Sequence, residues 1–223
     1  MHKSSLQKME AFRRRYLTGR EREPLRILDV GSQDVNGSYR PIFDQGSWRY
    51  VGLDMAPGPN VDLVLPGPYD WRRIPAGSYD VVISGQALEH VEFFWITILE
   101  MARVLRPGGL LCVIAPSGGF EHRYPVDCWR FYADGFAALA RWARLEVRES
   151  WTEWQPPVYG DGSEAWKDSI LVAAQPHRPW LARVRRRIRE ALFLAVLRRA
   201  LKRRQEAYGG AVPAPAPDGG DRT

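Results

Sequence analysis

The chain has little cysteine and no long apolar run. Its 223 residues include two cysteines, Cys112 in an apolar stretch and Cys128 in a polar one, and no Cys-x-x-Cys pair. This excludes a disulfide framework and argues against a structural zinc site. No stretch reaches the roughly 18 consecutive apolar residues that a membrane span needs, and the N-terminus lacks the apolar core of a signal peptide. We therefore expect a cytoplasmic protein.

The chain also has little net positive charge outside one segment. The formal net charge is +6, but residues 181–204 alone hold ten Arg or Lys and one Glu. Residues 1–180 are therefore close to neutral. An enzyme that acts on nucleic acid more often carries positive charge around its cleft, so we do not expect nucleic acid as a partner.

Apolar periodicity predicts an α/β fold. Strands alternate with helices through five units, a pattern typical of a parallel sheet covered by helices on both faces. The last two strands have no helix between them, so we expect a mostly parallel seven-stranded sheet with an antiparallel last strand. Residues Arg106–Gly109 (RPGG) should end a helix and form a tight turn. The predicted strands are Leu25–Val30, Arg49–Asp54, Val61–Leu65, Tyr79–Ser84, Leu110–Ala115, Leu145–Trp154 and Trp166–Gln175, and the predicted helices are residues 4–18, Arg40–Asp44, Phe93–Leu105 and Ala133–Ala143.

Composition divides the chain into four segments. Residues 1–24 carry the N-terminal helix, and residues 25–176 hold the alternating strands and helices. Residues 177–208 are predicted to form a basic amphipathic helical tail, because apolar residues recur at helical spacing among the arginines. Residues 209–223 are rich in Pro, Ala and Gly and are predicted to be disordered.

The stretch Ile27–Tyr39 (ILDVGSQDVNGSY) starts as a buried strand and continues as a polar loop. In open parallel sheets the ligand lies beyond the carboxyl ends of the strands. A dinucleotide site needs three glycines in this frame, and the chain has Gly31 but Gln33 and Asn36 at the other two positions. No P-loop lysine follows. The loop therefore argues against a phosphate ligand.

Two carboxylates flank this loop. Asp29 lies two residues before Gly31, where it could accept hydrogen bonds from an ammonium group. Asp54 ends the second predicted strand, where an acid binds the two hydroxyls of a ribose. A ligand with a ribose, an amino-acid end and no phosphate fits both carboxylates. S-adenosylmethionine is such a molecule.

Four motifs resemble, in order and spacing, those of the class I S-adenosylmethionine-dependent methyltransferases. They are DVGSQDVNGSY, VGLDMAP, YDVVISGQALEHVE and EMARVLRPGGLLCVIAP. The resemblance runs from about Arg26 to about Gln175 and is greatest to the small bacterial type with Leu-Glu-His after the fourth strand. It implies a Rossmann-like methyltransferase fold, S-adenosylmethionine as the cofactor and methyl transfer as the activity.

The resemblance also implies which residues bind the cofactor: Asp29, Gly31, Ser32, Asp54, Met55, Asp70, Trp71, Ser84 and Gln86. The first three would hold the methionine end, and the next two would contact the ribose and the adenine. Asp70, beside Trp71, would accept the adenine amino group, although it could instead form an Asx turn. The last two would line the cofactor near its methyl group. The chain departs from the family at Gln33, where a second glycine is usual.

His90, after Glu89 and just past the fourth predicted strand, is the first candidate for a base that takes the proton of a hydroxyl acceptor. Its alternative role is a hydrogen-bonded histidine that fixes the start of the next helix. His2 and His177 lie in terminal or linker segments, and we expect no role for them.

The segment His122–Gly135 (HRYPVDCWRFYADG) follows the fifth predicted strand, over the same edge of the sheet. It concentrates charged and aromatic side chains that a simple connection does not need. This composition suits a polar ring such as a sugar, or an acceptor with a carboxylate; the alternative is a lid held by internal ion pairs. The candidate acceptor-site residues are His122, as a second catalytic residue, and Glu89, Arg123, Tyr124, Asp127 and Arg130.

We expect no required metal ion. Some relatives have Glu-x-x-Glu-His after the fourth strand and bind a divalent metal there. This chain has Gln86-Ala-Leu-Glu89-His90, and an amide in place of a carboxylate weakens a site for a hard cation.

The basic segment 181–204 is typical of a helix that binds an anionic membrane surface, here the inner membrane face, or a protein partner. The alternative is a helix packed on its own domain. We expect O-methylation of a small polar acceptor, such as a sugar or another glycosylated or lipid-linked intermediate. Methylation of RNA or protein, and a non-catalytic cofactor-binding scaffold that acts through the tail, are the alternatives.

Overall fold

The computed structural model describes residues 2–177 and 179–208. The helices are α1 (Lys3–Leu17), α2 (Arg40–Phe43), α3 (Phe94–Val104), α4 (Ala133–Trp142) and α5 (Trp180–Tyr208). The strands are β1 (Arg26–Val30), β2 (Arg49–Asp54), β3 (Leu63–Val64), β4 (Tyr79–Gly85), β5 (Leu105–Ala115), β6 (Glu146–Thr152) and β7 (Ser169–Ala174). Two short 3-10 helices, Leu88–His90 and Ser163–Trp166, follow β4 and precede β7.

The seven strands form one sheet in the order β3-β2-β1-β4-β5-β7-β6. Strands β1 to β5 pair in parallel, and β7 runs antiparallel to both of its neighbours, β5 and β6. This confirms the predicted sheet, including its antiparallel last strand. The strand order reverses at β1, which lies between β2 and β4. The loops after β1 and β4 therefore border a crevice at the carboxyl ends of the strands.

Helices cover both faces of the sheet because successive strand residues point to opposite faces. On β4, Val81 and Ile83 belong to a core shared with Met9 and Phe12 of α1. The residue between them, Val82, belongs to the core shared with α3 and α4. A strand buried on both sides is typical of a parallel sheet, and here it holds the carboxyl end of β4 between two packed layers.

The predicted turn at Arg106–Gly109 is wrong, because β5 begins at Leu105 and runs through it. The pairing of β4 with β5 shifts register between Tyr79 and Val81. The extra residues of β5 therefore form a bulge. Gly108 adopts a φ of +77° within it, a conformation that glycine adopts without steric cost.

Four strands, β1, β3, β6 and β7, are shorter than predicted. β3 has only two residues and pairs with β2 alone, at the edge of the sheet. β7 begins at Ser169, because the preceding residues, including Trp166, form a 3-10 helix instead of continuing the strand. This shortening places Trp166 outside the sheet, beside the crevice described below.

The chain divides into two compact units, with the boundary after Arg183. The first contains the sheet and helices α1 to α4. The second begins within α5, a continuous helix of 29 residues in the region predicted as a helical tail. Among the described residues, no helix combines the length and apolar character that crossing a bilayer requires. The tail predicted as disordered, residues 209–223, lies outside the described residues.

Candidate active site

A cavity of about 280 Å³ opens at the carboxyl ends of β1, β2 and β4. Crevices at this point of an α/β sheet are the usual ligand sites. Ten of the predicted site residues line it: Asp29, Gly31, Ser32, Asp54, Met55, Trp71, Gln86, His90, His122 and Tyr124. The six predicted residues outside its lining are Asp70, Ser84, Glu89, Arg123, Asp127 and Arg130.

The cavity has two chemically different ends. We call the part around Asp29, Gly31 and Asp54 the carboxylate end, and the part around His90 and His122 the histidine end. The carboxylate end is formed by the loops after β1 and β2. The histidine end is formed by the segments that follow β4 and β5.

Asp29 is a buried carboxyl at the carboxylate end, with 2% of its surface exposed. The hydroxyl of Tyr50 donates a hydrogen bond to Oδ2, whereas Oδ1 has no hydrogen-bond partner. Burial raises the pKa of the Asp29 carboxyl to about 7. A buried carboxyl oxygen without a partner favours a cation or a strong donor placed against it.

Gly31 is required by the packing of the loop. Its φ is +78°, and a Cβ atom at this position would lie 2.4 Å from the Cβ of Ala87. The backbone N–H groups of Gly31 and Ser32 both donate to the carbonyl of Leu53, at 2.9 and 3.1 Å. The loop is thus tied to β2 on one side and pressed against the segment after β4 on the other. A side chain at residue 31 does not fit between them.

Asp54 is half-buried and already organises the loop. Its Oδ2 accepts the backbone N–H of Gln33 at 3.0 Å, and its Oδ1 accepts that of Met55 at 2.7 Å. Each carboxylate oxygen has a second lone pair, so both can still accept hydroxyl groups from the cavity. The Ser32 hydroxyl donates to the carbonyl of Asn60 at 3.3 Å and therefore holds the loop in place.

Gln33, which stands where the family usually has a glycine, packs within the loop against Gly58. A Cβ atom at Gly58 would lie 2.7 Å from Nε2 of Gln33, so the Gln33 side chain packs directly against the backbone of Gly58. The backbone N–H of Gly37 donates to Oδ1 of Asp34 at 2.6 Å. This bond closes the turn at Asn36-Gly37, which compensates for the departure at Gln33.

Two predicted cofactor residues have other roles in the structure. Asp70 forms an ion pair with Arg72 at 2.6 Å and also accepts the backbone N–H of Arg72, which is the Asx-turn alternative. The Ser84 hydroxyl donates to the carbonyl of Val30 at 2.8 Å and so joins β4 to β1. Neither lines the cavity, so the roles predicted for Asp70 and Ser84 are not supported. Trp71 lines the cavity but is 1% exposed and belongs to the core.

His90 lines the histidine end, and Glu89 lies next to it, outside the cavity lining. Glu89 is fully buried, and neither of its carboxyl oxygens has a hydrogen-bond partner on another residue. Burial raises the pKa of this carboxyl to about 8. Nδ1 of His90 lies 2.6 Å from the carbonyl of Val126. A carbonyl only accepts, so Nδ1 carries the proton and Nε2 carries the lone pair. That Nε2 lies 3.7 Å from Oε1 of Glu89.

The loop after β5 is held by an internal ion pair, the alternative considered from the sequence. Arg130 contacts Asp127 at 2.6 Å and holds the pKa of that carboxyl well below its usual range. Oδ2 of Asp127 also accepts the backbone N–H of His122 at 2.8 Å. Arg123 pairs with Glu121 at 2.8 Å. Arg123, Asp127 and Arg130 therefore shape the loop and do not face the cavity.

His2 is a cavity residue that sequence reasoning missed. Its ring stacks on Trp166 at 5.1 Å, and His122 contacts the same indole at 4.6 Å. His122 and His90 meet edge to face at 4.8 Å. α1 is fixed here because the Ser4 hydroxyl donates to Asp168 at 2.5 Å. The helical pattern of residues 4–18 predicts α1, but no sequence signal shows that its start reaches the cavity.

The cavity lining contains no Lys or Arg among the described residues. Gln86 also leaves an acceptor without a partner: its Nε2 donates to Asp168 at 3.0 Å, and its buried Oε1 has none. An anionic ligand such as a pyrophosphate would lose its hydration here without gaining a counter-charge. The electrostatics therefore favour a ligand with cationic or hydrogen-bond-donating groups.

Comparisons with known proteins agree with this geometry. Residues 28–113 match the family described as Methyltransferase domain. A protein named uncharacterized methyltransferase from Mycolicibacterium gilvum (strain PYR-GCK) is 29% identical over 148 residues, covering 58% of this chain and 54% of the relative. A relative of the same name from Mycobacterium sp. (strain KMS) is 30% identical over 176 residues, covering 69% and 66%. The chain thus spans about half to two thirds of the length of these relatives.

A solved structure shows the same fold. It is the 1,6-didemethyltoxoflavin-N1-methyltransferase of Burkholderia thailandensis with bound 1,6-didemethyltoxoflavin and S-adenosylhomocysteine. It superposes with a TM-score of 0.58 at 16% identity, covering 78% of this chain and 79% of that one. The family match and the mycobacterial relatives show that the chain contains a methyltransferase domain, as the sequence predicted, and the solved structure shows that its fold is that of an S-adenosylmethionine-dependent methyltransferase. The narrower type with Leu-Glu-His after the fourth strand stays a prediction.

Proposed function

We propose that the protein transfers the methyl group of S-adenosylmethionine to a hydroxyl of a small polar acceptor, such as a sugar or another biosynthetic intermediate. The observation that carries the cofactor assignment is the free, buried Oδ1 of Asp29 beside Gly31. It offers a charged partner for the ammonium group of the cofactor. The absence of Lys and Arg from the described lining agrees with a ligand that has no phosphate.

The carboxylate end supports one direction for the bound cofactor. Its ammonium group would lie against Asp29, and its ribose hydroxyls would donate to Asp54. The apolar wall that includes Met55, Leu65 and Trp71 would take the adenine. Asp29 lies near the end of β1, and Gln86 follows the neighbouring strand β4, so the sulfonium would point from the carboxylate end toward Gln86 and the histidines.

The histidine end is where the acceptor would meet the methyl group. Methyl transfer is an in-line displacement, so holding the acceptor oxygen in line with the carbon–sulfur bond supplies much of the acceleration. His90 is suited to take the acceptor's proton, because Val126 fixes the tautomer with the lone pair on Nε2. His122 and Tyr124 line the same end and could orient the acceptor.

The test is transfer of an isotopically labelled methyl group from S-adenosylmethionine to components of a metabolite extract. We expect one class of product with a new O-methyl group, identified by mass and NMR, and none with Asp29→Ala. Asp70→Asn is the matched control, since it removes a carboxylate outside the cavity. A methyl group found on nitrogen or carbon would contradict O-methylation, and labelled product formed equally by Asp29→Ala would contradict the site.

We also propose that the basic segment 181–204 binds an anionic membrane surface or a protein partner. Binding to a membrane would bring the enzyme to a lipid-linked acceptor. The sequence of this segment supports electrostatic attraction to anionic lipid. Flotation with vesicles of anionic and of neutral lipid, using the full chain and a chain ending at residue 179, tests this part of the proposal. Equal flotation of both chains would contradict it.

A further inference from the structure

Three potential metal ligands meet at the histidine end. One ligand atom from each of Glu89, His90 and His122 lies within 4.8 Å of the other two. The two oxygens of Glu89 have no hydrogen-bond partner on another residue, and Nδ1 of His122 lies 3.4 Å from Oδ2 of Asp127, which leaves Nε2 of His122 as its free ligand atom. The lone pair of His90 Nε2 is directed by the bond from Nδ1 to Val126. The three side chains thus present several lone pairs to one small volume.

The burial of Glu89 makes this arrangement costly without a cation. A carboxyl group that is fully removed from water and has no donor on another residue loses hydration and gains little in return. No Lys or Arg lines the adjoining cavity in the described part of the chain. Arg130 attracts the Glu89 carboxylate only at longer range, because its guanidinium is paired with Asp127 at 2.6 Å. A bound metal ion would supply the missing positive charge.

The surrounding backbone holds the three residues in place. The carbonyl of Glu89 accepts the N–H of Cys128 at 2.8 Å, and the carbonyl of Val126 accepts Nδ1–H of His90 at 2.6 Å. The backbone N–H of His122 is bound to Asp127 at 2.8 Å. Metal-binding histidines commonly donate their second N–H to a carbonyl, which sets the tautomer and the ring orientation. His90 shows that arrangement.

We propose that Glu89, His90 and His122 bind a divalent transition-metal ion of the zinc type. Two imidazoles and one carboxylate suit zinc or cobalt, whereas magnesium prefers oxygen ligands. The expectation of no metal considered Gln86–His90 alone, and the fold adds His122 from the loop after β5. Tetrahedral ligands about 2 Å from zinc lie about 3.3 Å apart, so the widest pair would close by about 1.5 Å on binding.

The proposal rests on the proposed function and refines one step of it. His90 and His122 line the cavity, so an ion bound to both can be reached by an acceptor. The acceptor hydroxyl would replace water at the open position and lose its proton to solvent. The oxygen–carbon bond then forms as the carbon–sulfur bond breaks, releasing S-adenosylhomocysteine. In this form the ion, rather than His90, ionises the acceptor.

The experiment is a titration of the full, untagged, chelator-treated chain with Zn²⁺ by calorimetry and with Co²⁺ by absorption spectroscopy. We expect one ion per chain and a Co²⁺ spectrum of a nitrogen- and oxygen-coordinated site. Glu89→Gln and His122→Ala should each weaken Zn²⁺ binding by at least about tenfold, since each removes a ligand. His177→Ala, which removes an imidazole elsewhere on the chain, should bind as the unmodified chain does.

S-adenosylhomocysteine binding, measured on the same preparations, reports the fold of each variant and the proposed function separately. Zn²⁺ binding that is absent, or that is unchanged in both ligand variants, overturns the metal site even if the nucleoside binds. Zn²⁺ binding that depends on Glu89 and His122, without nucleoside binding, supports the metal site and counts against the cofactor assignment.

Discussion

The two ends of the cavity differ in how their polar atoms are held. At the carboxylate end, Asp54 accepts two backbone N–H groups and Asp29 accepts the hydroxyl of Tyr50, so the protein itself orients both carboxylates. At the histidine end, Glu89 and one nitrogen of His122 have no hydrogen-bond partner on another residue. The carboxylates of the first end are oriented by bonds to the protein, whereas the second end leaves more side-chain lone pairs without a partner.

The difference also lies in sequence distance. The carboxylate end is formed by neighbouring strands β1 and β2, whereas the histidine end joins His2, Glu89-His90 and His122 from three distant segments. Because the carboxylate end is formed by neighbouring strands, a change in one loop is expected to affect all of it. Because the histidine end is built from three segments, one of its residues can be changed without affecting the carboxylate end.

Gly31→Ala should damage the carboxylate end most. The new Cβ would lie 2.4 Å from Ala87 in a backbone with a φ of +78°. Overpacking and the positive φ together should cost about 2–4 kcal/mol of unfolding free energy and abolish S-adenosylhomocysteine binding. Denaturant unfolding and calorimetry measure both effects. Gly135→Ala in α4, where a Cβ meets nothing within 4 Å, should be neutral or slightly stabilising.

Asp29→Asn should weaken S-adenosylhomocysteine binding by about 10–100-fold, because it removes a charged partner worth about 1.5–3 kcal/mol. Calorimetric titration at neutral pH measures the loss. An affinity within twofold of the unmodified chain would show that the ammonium group does not contact this carboxyl.

The affinity of the unmodified chain should also depend on pH. The pKa of Asp29 is about 7, so binding should weaken as the pH falls through this value and the carboxylate is protonated. Asp29→Asn should remove that dependence. In the free protein the raised pKa has the opposite sign for stability: folding favours the protonated carboxyl, so this contribution is lost as the pH rises toward 7.

Asp54 and Asp70 form a matched pair of carboxylates. Asp54→Asn should reduce S-adenosylhomocysteine affinity by about tenfold, since the lining carboxylate would no longer accept ribose hydroxyls as a charged group. Asp70→Asn should change affinity less than about twofold, because its carboxylate pairs with Arg72 outside the cavity. The reverse order would restore the adenine role that the sequence predicted for Asp70.

His2→Ala should have the smallest effect on cofactor binding and a larger one on methyl transfer. His2 lines the cavity and stacks on Trp166 beside His122, so its loss should loosen the histidine end. We expect unchanged S-adenosylhomocysteine affinity and a reduced rate of label transfer to the acceptor. If His2→Ala reduced the cofactor affinity as much as Asp29→Asn does, the two ends of the cavity would not act independently.

The sequence predicted the fold and most of the carboxylate end because both depend on local patterns. Strand periodicity placed Asp29 and Asp54 at strand ends, and Gly31 was identifiable by its frame. The cofactor role predicted for Asp70 stays a prediction, because its carboxylate pairs with Arg72, two residues away, outside the cavity lining. His2 and the convergence of His122 with Glu89 could not be predicted, because they depend on how α1 and the loop after β5 pack against the sheet.

The most direct test of the account is calorimetric titration of the purified chain with S-adenosylhomocysteine and, separately, with NAD. The cavity has an unpartnered carboxyl oxygen at Asp29 and no Lys or Arg in its described lining. We therefore predict saturable binding of one S-adenosylhomocysteine per chain and no binding of NAD. Binding of NAD at comparable affinity, or no binding of S-adenosylhomocysteine, would contradict the assignment of this cavity to the cofactor.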